Sequence, residues 1–182
     1  MITLSAAHRW RCGALAASVL FCFTSGSSLA ASGVGVTGQG SQVLQPDPKR
    51  PGKYLWKLWA REFVIESPSK GVSGTMKGIS AVLFQNGAPS ATMAAAQAKG
   101  NNVQNIIVAT GGVVVKSLVE PGTILRADSV TWYQQKNQVV AVGHVYYKNG
   151  KSGMTIIPSG ALTANTSLKT VSSAGGGHIK LP

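Results

Sequence analysis

MAAAQAKGNNVQNIIVATGGVVVK, residues 93–116, recurs without a gap as LRADSVTWYQQKNQVVAVGHVYYK, residues 125–148. In both copies an apolar residue is followed two places on by alanine: Met93 and Ala95, then Leu125 and Ala127. Asn105 and Asn137 come next. Ile107, Ala109, Gly111 and Val113 then return as Val139, Ala141, Gly143 and Val145, and Lys116 and Lys148 close the units. Apolar residues at every second position carry the period of a β-strand, whose side chains alternate faces. A repeated β unit of this size buries its apolar face only against its neighbours. The expectation is an all-β chain, hairpin after hairpin, forming one elongated structure whose interior can serve as a groove.

Working outward, Tyr54-Leu55-Trp56-Lys57-Leu58-Trp59-Ala60 alternates in the same way and puts Trp56 on one face with Leu58. Ile79–Phe84 reads as a short strand before an Asn86-Gly87 turn. Residues 91–98 have helical propensity, but their register with Leu125–Val130 predicts a strand. Further strands are expected at 104–109, 112–119, 124–133, 138–147 and 153–157, with turns at Glu120-Pro121-Gly122, Gln134–Asn137 and a tight hairpin at Lys148-Asn149-Gly150-Lys151. Leu125 and Ala127 share a parity opposite to that of Val130 and Trp132. A bulge near Asp128-Ser129 would bring all four to one side. Residues 31–53 are rich in Gly, Ser, Gln and Pro and read as a linker, and 172–182 as a flexible tail, which leaves 54–171 as the folded domain. Leu162, Ala164 and Leu168 fit the start of a further half-repeat.

At 182 residues the chain accommodates one domain with tails, and its 22 glycines suit turns. Seventeen basic residues against five acidic ones give a net charge of +12, which favours anionic partners: nucleic acid, anionic lipid or acidic polysaccharide. The N-terminus narrows these. His8, Arg9, Trp10 and Arg11 precede an apolar run from Cys12 to Phe23, and Ser28-Leu29-Ala30 fits a small-x-small cleavage site. Residues 1–30 therefore read as a secretory signal, since the run is shorter than the roughly 20 residues of a spanning helix; an uncleaved anchor is the alternative. Cleavage removes both cysteines, Cys12 and Cys22, and with them any disulfide or Cys metal site. Secretion argues against nucleic acid and points to envelope lipids, polysaccharides or acidic proteins.

No catalytic constellation stands out. Beyond the signal the only histidines are His144, on the strand face opposite Val145, and His178 in the Gly-rich tail. The carboxylates Asp47, Glu62, Glu66, Glu120 and Asp128 are scattered, and no HExxH, GxSxG or phosphate-cradling loop is present. The expectation is a protein that is not an enzyme, with no catalytic residues, no metal and no cofactor.

The stretch Leu125–Tyr133, then Asn137, then Ala141–Tyr147 resembles the OstA-like family of periplasmic lipopolysaccharide-export proteins, of the LptA and LptC kind. Their pattern runs apolar-x-Ala-Asp, an aromatic, a short turn, then Gly-x-Val. Upstream, Leu83-Phe84-Gln85-Asn86-Gly87 and the Ala-rich 94–98 before Gly111-Gly112-Val113 look more like LptC, as does the basic N-terminus with its apolar run. LptC usually keeps that run as an inner-membrane anchor, whereas a cleaved signal suits LptA. The resemblance covers about 54–170. It implies a twisted open β-jellyroll, stacked edge to edge with partner jellyrolls of an export system, with an apolar interior that carries the acyl chains of lipopolysaccharide or a similar anionic glycolipid.

Period-two parity supports an apolar lining independently. The candidate lipid-groove residues are Val113, Val115, Leu125, Ala127, Trp132, Val139, Ala141, Val145, Tyr147 and Ile156, with Lys116, Arg126 and Lys148 as phosphate contacts near a rim. Unpaired edge strands would dock partners end to end. The competing reading is a structural or adhesive envelope module that binds acidic glycans or partner proteins through a basic surface.

Overall fold

The structure, a computed structural model, describes residues 35–47, 49–66, 73–101 and 105–181. The expected signal segment, its cleavage site and both cysteines lie outside these residues. Twelve strands follow one another: β1 (Gly35–Pro46), β2 (Tyr54–Glu66), β3 (Ser73–Gln85), β4 (Ala88–Asn101), β5 (Ile106–Ser117), β6 (Ile124–Tyr133), β7 (Gln138–Val142), β8 (Tyr146–Lys148), β9 (Thr155–Pro158), β10 (Leu162–Asn165), β11 (Val171–Ser173) and β12 (Gly177–Lys180). All pair antiparallel in one sheet with the order β1-β2-β3-β4-β5-β6. Beyond β6 the sheet forks, one branch running β7-β10-β11 and the other β8-β9-β12.

The fork exists because every long strand bends at one place. Register across the bend sets Gly40 of β1, Arg61 of β2, Gly78 of β3, Ala96 of β4, Gly111-Gly112 of β5, Asp128 of β6 and Gly143-His144 between β7 and β8 in a single column. Two consecutive residues at this crease point outward, so parity reverses across it: Ala60 and Phe63, Ala95 and Ala98, Ala127 and Val130 are all buried. The expected bulge at Asp128-Ser129 is this crease, and Leu125, Ala127, Val130 and Trp132 do share the buried side. The bend demands left-handed backbone, with φ +82 at Gly111 and +74 at Gly143. A Cβ there would stand 2.8 Å from the Cβ of Ala96 and of Asp128 respectively. Leaf I is the half of the sheet carrying the β3–β4 and β5–β6 turns, and leaf II is the half beyond the crease. Their inner faces are buried in one apolar cluster.

The repeat seen in sequence holds in space. Met93↔Val115 and Ala98↔Ala109 in the first unit match Leu125↔Tyr147 and Val130↔Ala141 in the second. A third unit continues them, since Ile156↔Ile179 and Leu162↔Ser173 take the equivalent places and Gly175 repeats the positive φ of Gly143. β4 is a strand despite four alanines in six residues at 93–98, because burial between β3 and β5 overrides propensity.

Several expectations are corrected. The reading of 31–53 as a linker gives way to β1, which pairs with β2 along its length. It joins β2 through a turn organised by Asp47, whose carboxylate accepts the Lys49 N–H at 2.9 Å and the Arg50 Nε–H at 2.7 Å. The tail reading of 172–182 fails for the end of β11 and for β12, which are paired strands. The two strands expected at 104–109 and 112–119 are one strand, β5, bent at Gly111-Gly112, and the one expected at 138–147 is two. Asn149-Gly150 is not a two-residue hairpin. The loop is longer, and the Asn149 side chain accepts the N–H groups of Lys151 and Ser152.

Candidate functional site

The interior between the leaves is graded in width by its side chains. Beside the crease the later strands are lined by small side chains, Ala95, Ala98, Ala109, Ala127 and Ala141 with Val113, Val130 and Val145. Further out stand Met93, Val115, Leu125, Trp132 and Tyr147. The physical reason is a wedge: two leaves diverging from a fold line leave little space near it and more towards the mouth, and close packing selects side chains to match. Each buried Leu or Val contributes about 1.5–3 kcal/mol, whereas alanines contribute far less, so their repetition at the crease reflects shape and not energy. At the two ends of the interior lie half-buried apolar residues packed on the core: Val43 on β1 at one end, and Met154, Ile156 and Val171 at the other.

The mouth of the wedge is crossed by a strap, Thr166-Ser167-Leu168, between β10 and β11. All three residues are buried although two are polar. Each is fastened to a different strand. The Trp132 Nε1–H of β6 donates to Thr166 Oγ1 at 3.2 Å, the Ser117 hydroxyl of β5 donates to the Ser167 carbonyl at 2.7 Å, and the Tyr147 hydroxyl of β8 donates to the Leu168 carbonyl at 2.9 Å. Trp132 belongs to leaf II, and Ser117 and Tyr147 to leaf I, so the strap ties the leaves together. An exposed pair, Lys169 with Glu120 at 3.4 Å, adds a weak fifth point beside the backbone bond from Thr166 N–H to the Asn137 carbonyl. Next to the strap opens a recess of about 290 Å³, lined by Asn86, Pro89, Ser90, Ser167 and Lys169 among others.

Of the residues named from sequence, Val113, Val115, Leu125, Ala127, Trp132, Val139, Ala141, Val145 and Tyr147 lie together in the buried interior, and Ile156 lies half-buried at its end. Lys116, Arg126 and Lys148 are exposed on the opposite, outer face of leaf I, because each is sequence-adjacent to an inward residue (Val115, Leu125, Tyr147) and strand side chains alternate. Sequence reasoning passed over Phe63, Leu58, Leu83 and Met93, which line the earlier strands. Their period-two spacing was visible; Phe63, Leu58 and Leu83 fell outside the repeat on which the lining was based, and Met93, which opens that repeat, was left out of the lining. The strap gave no signal, because Thr166-Ser167 reads as ordinary loop.

Two carboxyls titrate away from their ordinary value. Burial of Asp47 pushes its carboxyl up, but the Lys49 N–H, the Arg50 guanidinium and the charges of both outweigh this and hold it below 3.8. The hydrogen bond from Lys77, at 2.9 Å, lowers Glu62, and both groups are exposed. Asp128 and His144 pair at 2.7 Å across the outside of the crease. Among the described residues no three His, Cys, Asp or Glu side chains converge to hold a metal, and no helix is long and apolar enough to cross a membrane.

The bent, forked sheet is similar to that of a solved protein. Over 75% of this chain and 96% of the other, it superposes with a TM-score of 0.54 on LptH of Pseudomonas aeruginosa, the LptA homologous periplasmic component of the conserved lipopolysaccharide transport device. The fold is LptA-like. Sequence identity to LptH is 12%, so the likeness resides in the fold. No family model matches the sequence, and no curated protein does. The twisted open jellyroll expected from the OstA-like pattern is the architecture observed.

Proposed function

We propose that this chain is a non-enzymatic periplasmic component of lipopolysaccharide transport. In this reading it holds the acyl chains of lipopolysaccharide, or of a similar anionic glycolipid, between its leaves and meets partner jellyrolls by strand pairing. The observation that carries the proposal is the wedge, a continuous apolar interior that in the later strands is graded from alanine and valine at the crease to larger side chains at a strapped mouth. The LptA-like fold supports it. So do the ends of the sheet: among the described residues β1 pairs only β2, β11 only β10 and β12 only β9, which leaves backbone donors and acceptors for a neighbour.

The interior is packed in the structure, so loading requires the leaves to part or the strap to lift. Acyl chains would enter past the half-buried Val43 or Ile156. A photo-crosslinking residue at Ile156, in cells that make lipopolysaccharide, should capture the glycolipid, and one at the outward Thr131 should not. Equal capture at both, or crosslinks to protein alone, would reduce the interior to plain core.

A further inference from the structure

The two outer faces of the sheet differ in charge, and this points to a second surface unrelated to the interior. Register places Lys116, Lys148 and Lys180 in one row across the outside of leaf I, by way of Lys116↔Ile124, Ile124↔Lys148, Lys148↔Thr155 and Thr155↔Lys180. They recur at every second strand, about 10 Å apart at the usual strand spacing. They occupy the same position of the three repeat units. Arg126 stands in the next row. All four are exposed, and none has a carboxylate within ion-pair distance among the described residues. On the outside of leaf II, by contrast, Lys77 is neutralised by Glu62, and the exposed Lys99 and Lys136 stand apart from each other and form no row. The leaf I face also exposes Trp59, in the row of Arg126, and Ile157 beside the lysine row, at 41% and 50%.

We propose that the outer face of leaf I docks on an anionic phospholipid bilayer surface. A row of evenly spaced, unpaired cations on a sheet face meets many lipid headgroups at once, and each cation adds to the attraction. Tryptophan and isoleucine on the same face gain from contact with the headgroup–acyl boundary. A soluble acidic polysaccharide has no such boundary to offer them. A second copy of the chain fits poorly, because leaf I repels itself and the leaf II face carries no anionic surplus. Cargo held between the leaves is on the far side of the sheet from these lysines, so its phosphates do not explain them.

The test is flotation of the full chain with phosphatidylcholine vesicles, with and without added phosphatidylglycerol. Partition should rise on the anionic vesicles and fall again with salt. Each basic residue near such a surface is worth about a fivefold gain, so K116E/K148E, which changes four charges, should lose about 600-fold, which is the whole gain of the four-cation face. The neutral pair K116Q/K148Q should lose about the square root of the charge-reversal effect, with unchanged β-sheet circular dichroism. The leaf II control K99E/K136E has the same net charge and should keep most of the gain. An N-terminal apolar segment contributes equally to every variant and cancels. No gain on anionic vesicles, equal losses from both leaves, or retention of the wild type only by an acidic polysaccharide would each overturn the proposal. The lysine face and the interior stand or fall separately, since one is read with vesicles and the other by crosslinking.

Discussion

The strap offers a direct way to connect stability with loading. Thr166→Val keeps the shape of the side chain but removes the acceptor of the Trp132 indole N–H, which is 1% exposed and has no water to turn to. A buried donor left unpaired costs about 1–3 kcal/mol, offset by about 0.8 kcal/mol for replacing a hydroxyl with a methyl in an apolar site. The net expectation is a loss centred on about 1 kcal/mol. Tyr147→Phe removes the hydroxyl that donates to the Leu168 carbonyl and accepts from Asn149 Nδ2, with a similar loss of about 1–2 kcal/mol. Both bonds fasten the same three residues, so the double variant should lose less than the sum: once the strap lifts, the second bond is already gone. Urea denaturation followed by intrinsic fluorescence measures all three values. The uptake rate of a fluorescent fatty-acyl probe then reports on the mouth, and should rise in both single variants. A loss below about 0.5 kcal/mol in each, the level of an ordinary surface substitution, would refute the claim that these bonds hold the strap. Strict additivity with unchanged uptake would refute the claim that the strap acts as one closure.

Ala127→Phe beside the crease should block acyl-probe binding and cost about 1–3 kcal/mol by overpacking, whereas Thr131→Phe on the outer face should change neither; equilibrium probe binding distinguishes them. Gly143→Ala should lose more than the about 1–2 kcal/mol that its left-handed backbone costs an L side chain, because the new methyl stands 2.8 Å from the Cβ of Asp128, which moves only with its backbone. Gly111→Ala should lose at least about 1–2 kcal/mol for the same two reasons, since its φ is +82 and its new methyl meets the Cβ of Ala96 at the same 2.8 Å; thermal melts of both variants check the losses. Asp47→Asn should destabilise at neutral pH by about 1–2 kcal/mol through the β1–β2 turn. The folded carboxyl titrates below its ordinary 3.8, so the wild-type advantage is complete above that value and disappears as pH falls through the folded one. Denaturation of both proteins along a pH series checks the crossing.

The centre of the fold was legible because its units repeat. Met93 to Lys116 and Leu125 to Lys148 marked as strand the stretches that form β4 to β8, with β5 read as two and β7 and β8 as one, overruled the helical propensity of the alanines and located the bend at Asp128-Ser129 from parity alone. Both margins of the sheet were illegible for one physical reason. An edge strand has a partner on one side only and less of it faces the core, so β1 is built of Gly, Ser and Gln, and the third unit replaces Ala141 and Val145 with Ser173 and Gly177. Without apolar alternation these stretches look like linker and tail. In the site, parity assigned the inward residues, but the same alternation excludes Lys116, Arg126 and Lys148 from the interior. The strap depends on hydrogen bonds from three strands distant in sequence, which no local pattern announces.

The 32-residue unit also makes length a countable property of this protein. Each copy adds one bent hairpin, two strands wide, and leaves the ends of the sheet as they were, so a tandem duplication of residues 93–124 should extend the interior by about 10 Å at ordinary strand spacing. The crease would stay in line, because each added hairpin brings its own glycine, and one more lysine would join the outer row. Span across a gap between two surfaces would then be set by copy number, in steps, with no redesign of either terminus.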